Sequence, residues 1–199
     1  MKRPFAVMMV LASLVTVSCT STSDALAEQY RDGSGANYIS GDGAITVLAP
    51  ESRTDSVQFE GDLDTGEFFS SSDYAGSVIV VNFWYAGCPP CRVEAADLES
   101  LHQQFLSDGV AFVGVNIFDQ APTALTFAKE FGVSYGSIMD VETGSVRLAF
   151  AGQVAPNAVP TTLVLDKQGR VSARISGVIT DVDLLANIIE GVLEEELGS

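Results

Sequence analysis

The sequence predicts an α/β fold: a mixed central sheet with helices on both faces. Three features predict it. Residues 77–85, SVIVVNFWY, and 110–118, VAFVGVNIF, are continuous β-branched and aromatic runs, suited to strands buried on both faces. Each precedes a stretch with helical spacing, so the two strands run parallel through a right-handed crossover. The chain then closes on strand, turn, strand and amphipathic helix, which adds antiparallel strands. A chain of 199 residues accommodates one such domain and an appendage. A net charge of −16, with only ten Lys and Arg, argues against a nucleic-acid or other polyanionic partner. It serves solubility, or attraction to basic proteins.

The appendage comes first. Met1-Lys2-Arg3-Pro4 is a basic start, and residues 5–17 are an apolar run of 13. A spanning helix needs about 20 such residues, so residues 1–18 read as an export signal. Thr16-Val17-Ser18-Cys19 resembles a bacterial lipobox, with Thr16 where leucine is usual. Lipidation of Cys19 would make the mature protein a membrane-anchored lipoprotein. The alternative is ordinary cleavage after Ala25-Leu26-Ala27, which would release a secreted protein. Both routes place the domain outside the cytoplasm, where disulfides persist. Residues 19–43 are polar, rich in Gly and Ser, and read as a flexible tether to a folded domain over 44–199.

The elements of that domain follow in order. AITVLAP (44–50) is a short strand. Residues 56–73 alternate on either side of Asp64-Thr65-Gly66 and form a hairpin. After strand 77–85, Pro89-Pro90 suit a first helical turn, where a missing N–H costs nothing. From Cys91, Val93, Leu98, Leu101 and Phe105 predict one buried helix face, ended by Gly109. After strand 110–118, a second helix begins at Pro122 and stops at Gly132. Residues 146–152 form a short turn or helix. Residues 161–177 are a hairpin about Lys167-Gln168-Gly169. The last helix is capped by Asp181 and buries Leu184, Leu185, Ile188, Ile189 and Val192.

Chemistry centres on Cys88-Pro89-Pro90-Cys91, between the first long strand and its helix. A zinc site needs about four ligands. The domain offers two cysteines and one histidine, His102, which lies roughly 16 Å along the helix from Cys91. A purely structural disulfide across so short a loop stabilises little. A working redox pair remains. Helix N-terminal N–H groups stabilise an anion at Cys88, which should lower its pKa below the free value of ~8.5. Cys88 would attack a substrate disulfide, and Cys91 would resolve the mixed disulfide. Glu94, one turn beyond Cys91, is either the acceptor of its proton or a solvated surface carboxylate. His102 reads as a residue of the polar face.

Asn82-Phe83-Trp84, the Cys88–Arg92 run, Glu94, VGVN (113–116) and VPTTLVLDKQGRV (159–171) together resemble the TlpA/ResA group of extracytoplasmic thiol–disulfide oxidoreductases, a branch of the redoxin superfamily. The resemblance covers about residues 55–195. It implies a thioredoxin fold with an N-terminal β-hairpin extension and an added segment around 119–139. It makes Pro160 the cis-proline facing the cysteines, the Val159 backbone a partner for an extended substrate, Trp84 a substrate contact and Glu94 the proton acceptor. Asn82 stands where cytoplasmic thioredoxins carry a buried acid. Two positions depart from the pattern. Gly87 replaces a common tryptophan, removing an aromatic wall, and Ala96 replaces a frequent helix proline.

The function implied is reduction of disulfides in exported proteins, apocytochrome c among them, by a monomer without cofactor that a membrane thiol donor re-reduces. The opposite direction, a disulfide-forming oxidant, is the main alternative. A peroxidase of the pattern P-x-x-x-[ST]-x-x-C would need other residues at Val81 and Tyr85. For a non-catalytic chaperone of apocytochrome or haem, the single histidine, His102, far from the cysteine pair, offers poor axial ligation.

Overall fold

The structure, a computed structural model, describes residues 45–154 and 158–195. The predicted export signal 1–18, Cys19 and the tether 19–43 lie outside the described residues. A six-stranded sheet has the order β1-β8-β7-β4-β5-β6. Its strands are β1 (Ile45–Val47), β4 (Ile79–Trp84), β5 (Ala111–Asn116), β6 (Ser137–Met139), β7 (Thr161–Leu165) and β8 (Val171–Ser176). β4, β5 and β6 are parallel, while β7, β8 and β1 add on antiparallel. The hairpin forms a separate two-stranded sheet, β2 (Glu60–Asp62) and β3 (Phe68–Ser70). Among the described residues, four α-helices flank the sheet: α1 (Pro89–Phe105), α2 (Ala121–Phe131), α3 (Ser145–Ala149) and α4 (Val182–Glu194).

Every residue of β4, β5 and β7 is buried, as continuous apolar runs require. Alternate side chains divide between two layers. Ile79, Val81, Phe83, Val113 and Leu163 pack with Phe59 and Phe69 of the hairpin region and with Val146 and Phe150 around α3. Val78, Val80, Phe112 and Val164 pack on the other side with Leu98, Leu101 and Phe105 of α1 and Leu185, Ile188 and Ile189 of α4. Burying each such side chain is worth roughly 1.5–3 kcal/mol. Helices cover both faces, as expected, although one face carries only the short α3 beside the hairpin.

Three expectations need correction. β6 is a strand the sequence does not announce; three residues carry no periodicity, and its place comes from pairing with Gly114, Val115 and Asn116. Val93 is 69% exposed. It lies five residues before Leu98, about 140° around the helix from the buried stripe. The buried face is Cys91, Glu94, Ala95, Leu98, Leu101 and Phe105. The strand expected to reach residue 118 stops at Asn116, and Phe118 stands out in solvent.

Candidate active site

β4 ends at Trp84, and the chain turns through Tyr85, Ala86 and Gly87 into α1. Cys88 is the N-cap of that helix. Its N–H donates to the Tyr85 carbonyl (3.1 Å), and its Sγ accepts the Cys91 N–H (3.2 Å). Pro89 and Pro90 occupy the first helical positions. Cys88 and Cys91 form a disulfide across a Cα separation of 5.3 Å. Both are buried.

The turn before Cys88 is held from the next crossover. The Asp119 carboxylate accepts the Ala86 N–H (2.6 Å) and the Asn116 side-chain amide (2.9 Å). Asn116 Oδ1 in turn accepts the N–H groups of Phe118 and Asp119. The sequence alone gives neither residue a role, although Asn116 closes the VGVN motif. The N-x-x-D spacing at the end of β5 is a turn signal, yet nothing local points it at Ala86. On the rim, Arg92 pairs with Glu130 (2.7 Å) and lies over the Phe131 ring at 4.8 Å. Tyr85 stands beside Gly87 and packs on Phe118, 5.5 Å between ring centres.

Glu94 is not a solvated surface residue; it is 1% exposed. Its Oε1 accepts from Asn82 Nδ2 and its Oε2 from the Ile179 N–H, each at 3.0 Å. Asn82 also donates to Thr162 Oγ1 (3.0 Å). Burial pushes the Glu94 carboxyl up strongly, the two hydrogen bonds pull it back, and nearby Asp97 adds to the rise; the result is a pKa of about 7. A cavity of about 20 Å³, lined by Asn82, Trp84, Cys91, Tyr135 and Ser137 among others, has room for one water.

Trp84, expected as a substrate contact, is buried beneath the cysteines. Its indole N–H donates to Ser137 Oγ (3.1 Å), and its ring packs on Phe127 at 4.3 Å between centres. It forms the floor of the site because β4 carries it inward with Val80 and Asn82. The Val159–Pro160 peptide bond is cis. Val159 packs against the cluster of Trp84, Cys88 and Cys91. The Pro160 carbonyl accepts the Gly177 N–H (2.9 Å). His102 is half-buried rather than on a polar face; it sits between Phe112 and Tyr135, and its Nδ1 has no partner among the described residues.

A family model described as Redoxin matches residues 49–189. The thiol–disulfide oxidoreductase ResA of Geobacillus kaustophilus is 31% identical over 113 residues, 57% of this chain and 62% of that protein. The match thus spans less than two thirds of this curated relative. A solved secreted thiol–disulfide isomerase from Corynebacterium glutamicum superposes with a TM-score of 0.70 at 29% identity, covering 80% of this chain and 98% of that one. A thiol:disulfide interchange protein of the thioredoxin family from Chlorobium tepidum superposes at 0.65 with 31% identity, covering 73% and 99%. The domain has the thioredoxin fold.

Proposed function

The chain belongs to the Redoxin family, and on that premise we propose that it is an extracytoplasmic thiol–disulfide oxidoreductase that reduces disulfides in exported proteins. One observation carries the reading: a Cys88–Cys91 pair at the start of α1 with a buried, protonatable carboxyl one turn behind it on the same helix face. In the reduced protein the Cys88 thiolate attacks a substrate disulfide. A Cys88–substrate bond forms, and one substrate sulfur leaves with the electron pair. Glu94 then takes the proton of the Cys91 thiol. The Cys91 sulfur attacks Cys88, the Cys88–substrate bond breaks, and the second substrate sulfur leaves reduced. An extended substrate segment pairs with the Val159 backbone beside Pro160.

A dithiol donor in the membrane restores the Cys88–Cys91 pair. The cysteine pair of an apocytochrome c is the substrate class that the resemblance carries. A lipid on Cys19, with residues 19–43 as tether, keeps the domain at the membrane surface. The deciding measurement is the reduction potential of the Cys88–Cys91 couple, by equilibration with dithiothreitol or glutathione. Trp84, the single tryptophan, packs against the pair and reports its state by fluorescence. A potential of about −270 mV is expected of a reductase; one of about −120 mV would make the protein an oxidant.

A further inference from the structure

The loop between β8 and α4 touches both the cis-proline strand and Glu94. The β7–β8 ladder ends at the pair Thr161–Ser176. One step further, the Gly177 N–H donates to the Pro160 carbonyl (2.9 Å), and two residues on, the Ile179 N–H donates to Glu94 Oε2 (3.0 Å). The Ile179 side chain is buried in the layer that holds Leu98, Leu101 and Leu185, so its main chain is anchored on one side. A cleft of about 200 Å³, lined by Ile45, Ile175 and residues 176–181, opens beside the loop, so packing alone does not fix its path. Its path therefore depends on the bond at Gly177. Gly177 has φ +96°, in the left-handed region, and a Cβ there would meet nothing within 4 Å. Alanine at 177 would disturb the backbone without crowding any neighbour.

We propose that Gly177 and Ile179 are positioning residues for the exchange reaction: the Gly177–Pro160 bond sets the loop so that the Ile179 N–H holds the Glu94 carboxylate behind Cys91. The proposal rests on the reading above, in which Glu94 receives the Cys91 proton as the Cys91–Cys88 bond forms and the substrate sulfur leaves. An N–H bond to a carboxylate favours its ionised form, so losing the bond raises the proton affinity of Glu94. The titratable groups coupled to Glu94 are Asp97 on its own helix and Tyr135 beside β6; Cys91 lies one turn before it on the same buried helix face, and Asn82 faces it as a neutral donor.

The test compares Gly177→Ala and Ile179→Pro with the parent in the full chain. Two readouts are followed: the Glu94 carboxyl by ¹³C NMR in the reduced protein, and the pH profile for resolution of a peptide mixed disulfide. The Glu94 midpoint should rise by about one pH unit in Gly177→Ala, and the kinetic midpoint should move with it. In a Glu94→Gln background, Gly177→Ala should change the rate less than about twofold, because the group it acts through is gone. An unmoved Glu94 midpoint overturns the proposal. So does an undiminished effect of Gly177→Ala without Glu94, which would make the loop a docking surface only. If Ile179→Pro does not fold, Gly177→Ala decides alone. Failure of Cys88 to form a mixed disulfide in the parent would sink the exchange reading, while the NMR titration would still decide the positioning of Glu94.

Discussion

Glu94 binds its proton more tightly in the folded chain than in the unfolded one. Burial raises its pKa from 4.5 to about 7 against the pull of the Ile179 N–H and the Asn82 amide, with Asp97 adding to the rise. A raised folded value contributes stability that is complete below pH 4.5 and lost as the pH climbs through about 7. The difference is about 2.5 pH units, an effect of about 3 kcal/mol at most. Glu94→Gln should therefore flatten the fall in stability between pH 5 and pH 8, measured by urea unfolding. An equal slope in parent and variant would show that Glu94 is not buried as described. The position of Glu94 relative to Cys91 was legible in the sequence, but its burial was not. Val93 looks like the apolar member of the stripe, and the Ile179 N–H that makes a buried Glu94 tenable arrives from 85 residues away.

At the scale of elements, β4 and β5 were legible because continuous β-branched runs have few alternatives to a buried strand. β6 was not, and it shapes the site floor. Ser137, its first residue, accepts the Trp84 indole N–H, and Gly114 of β5 lies between them. A Cβ on Gly114 would overlap Ser137 Oγ and stand 2.7 Å from Trp84 Nε1. Gly114→Ala should therefore break the Trp84–Ser137 bond and cost about 1–3 kcal/mol by overpacking. Thermal unfolding should occur at lower temperature, and Trp84 emission should shift as the indole loses its partner. Parental emission and stability would refute this account of the floor. The second crossover shows the same limit: α2 was legible from Pro122 and Gly132, whereas the hold of Asp119 on Ala86 exists only once β4 and β5 lie side by side.

For the whole described domain, the tie between its two ends is an ionic clamp away from the cysteines. Arg53, which follows β1 and has a buried side chain, donates to Asp166 in the β7–β8 turn (2.9 Å) and to both carboxylate oxygens of Glu195 after α4 (2.5 and 2.6 Å). Arg170 donates to the same Asp166 oxygen (2.8 Å), and Lys167 caps the α4 end through the Leu193 and Glu195 carbonyls. Burial alone would raise the Asp166 carboxyl, but the Arg170 N–H and the two guanidiniums outweigh it and hold it below its usual value. The clamp thus contributes stability above pH 3.8 that is lost as the pH falls. None of this was legible. Asp166-Lys167-Gln168-Gly169-Arg170 reads as a solvated turn, and Arg53 finds its partners 113 and 142 residues later. Arg53→Ala would leave Asp166 to Arg170 and two backbone N–H donors and Glu195 to solvent, so it should destabilise the domain by about 1–3 kcal/mol at pH 7 through the lost charged hydrogen bonds. The loss should shrink as the pH falls below 3.8 and through the lowered folded value of Asp166, where its carboxyl is protonated even beside its partners. The Cys88–Cys91 reduction potential should not move, because the clamp touches neither cysteine nor Glu94. A shifted potential would mean that the ends of the domain and its redox site are energetically coupled, and that the clamp contributes to the chemistry as well as to the fold.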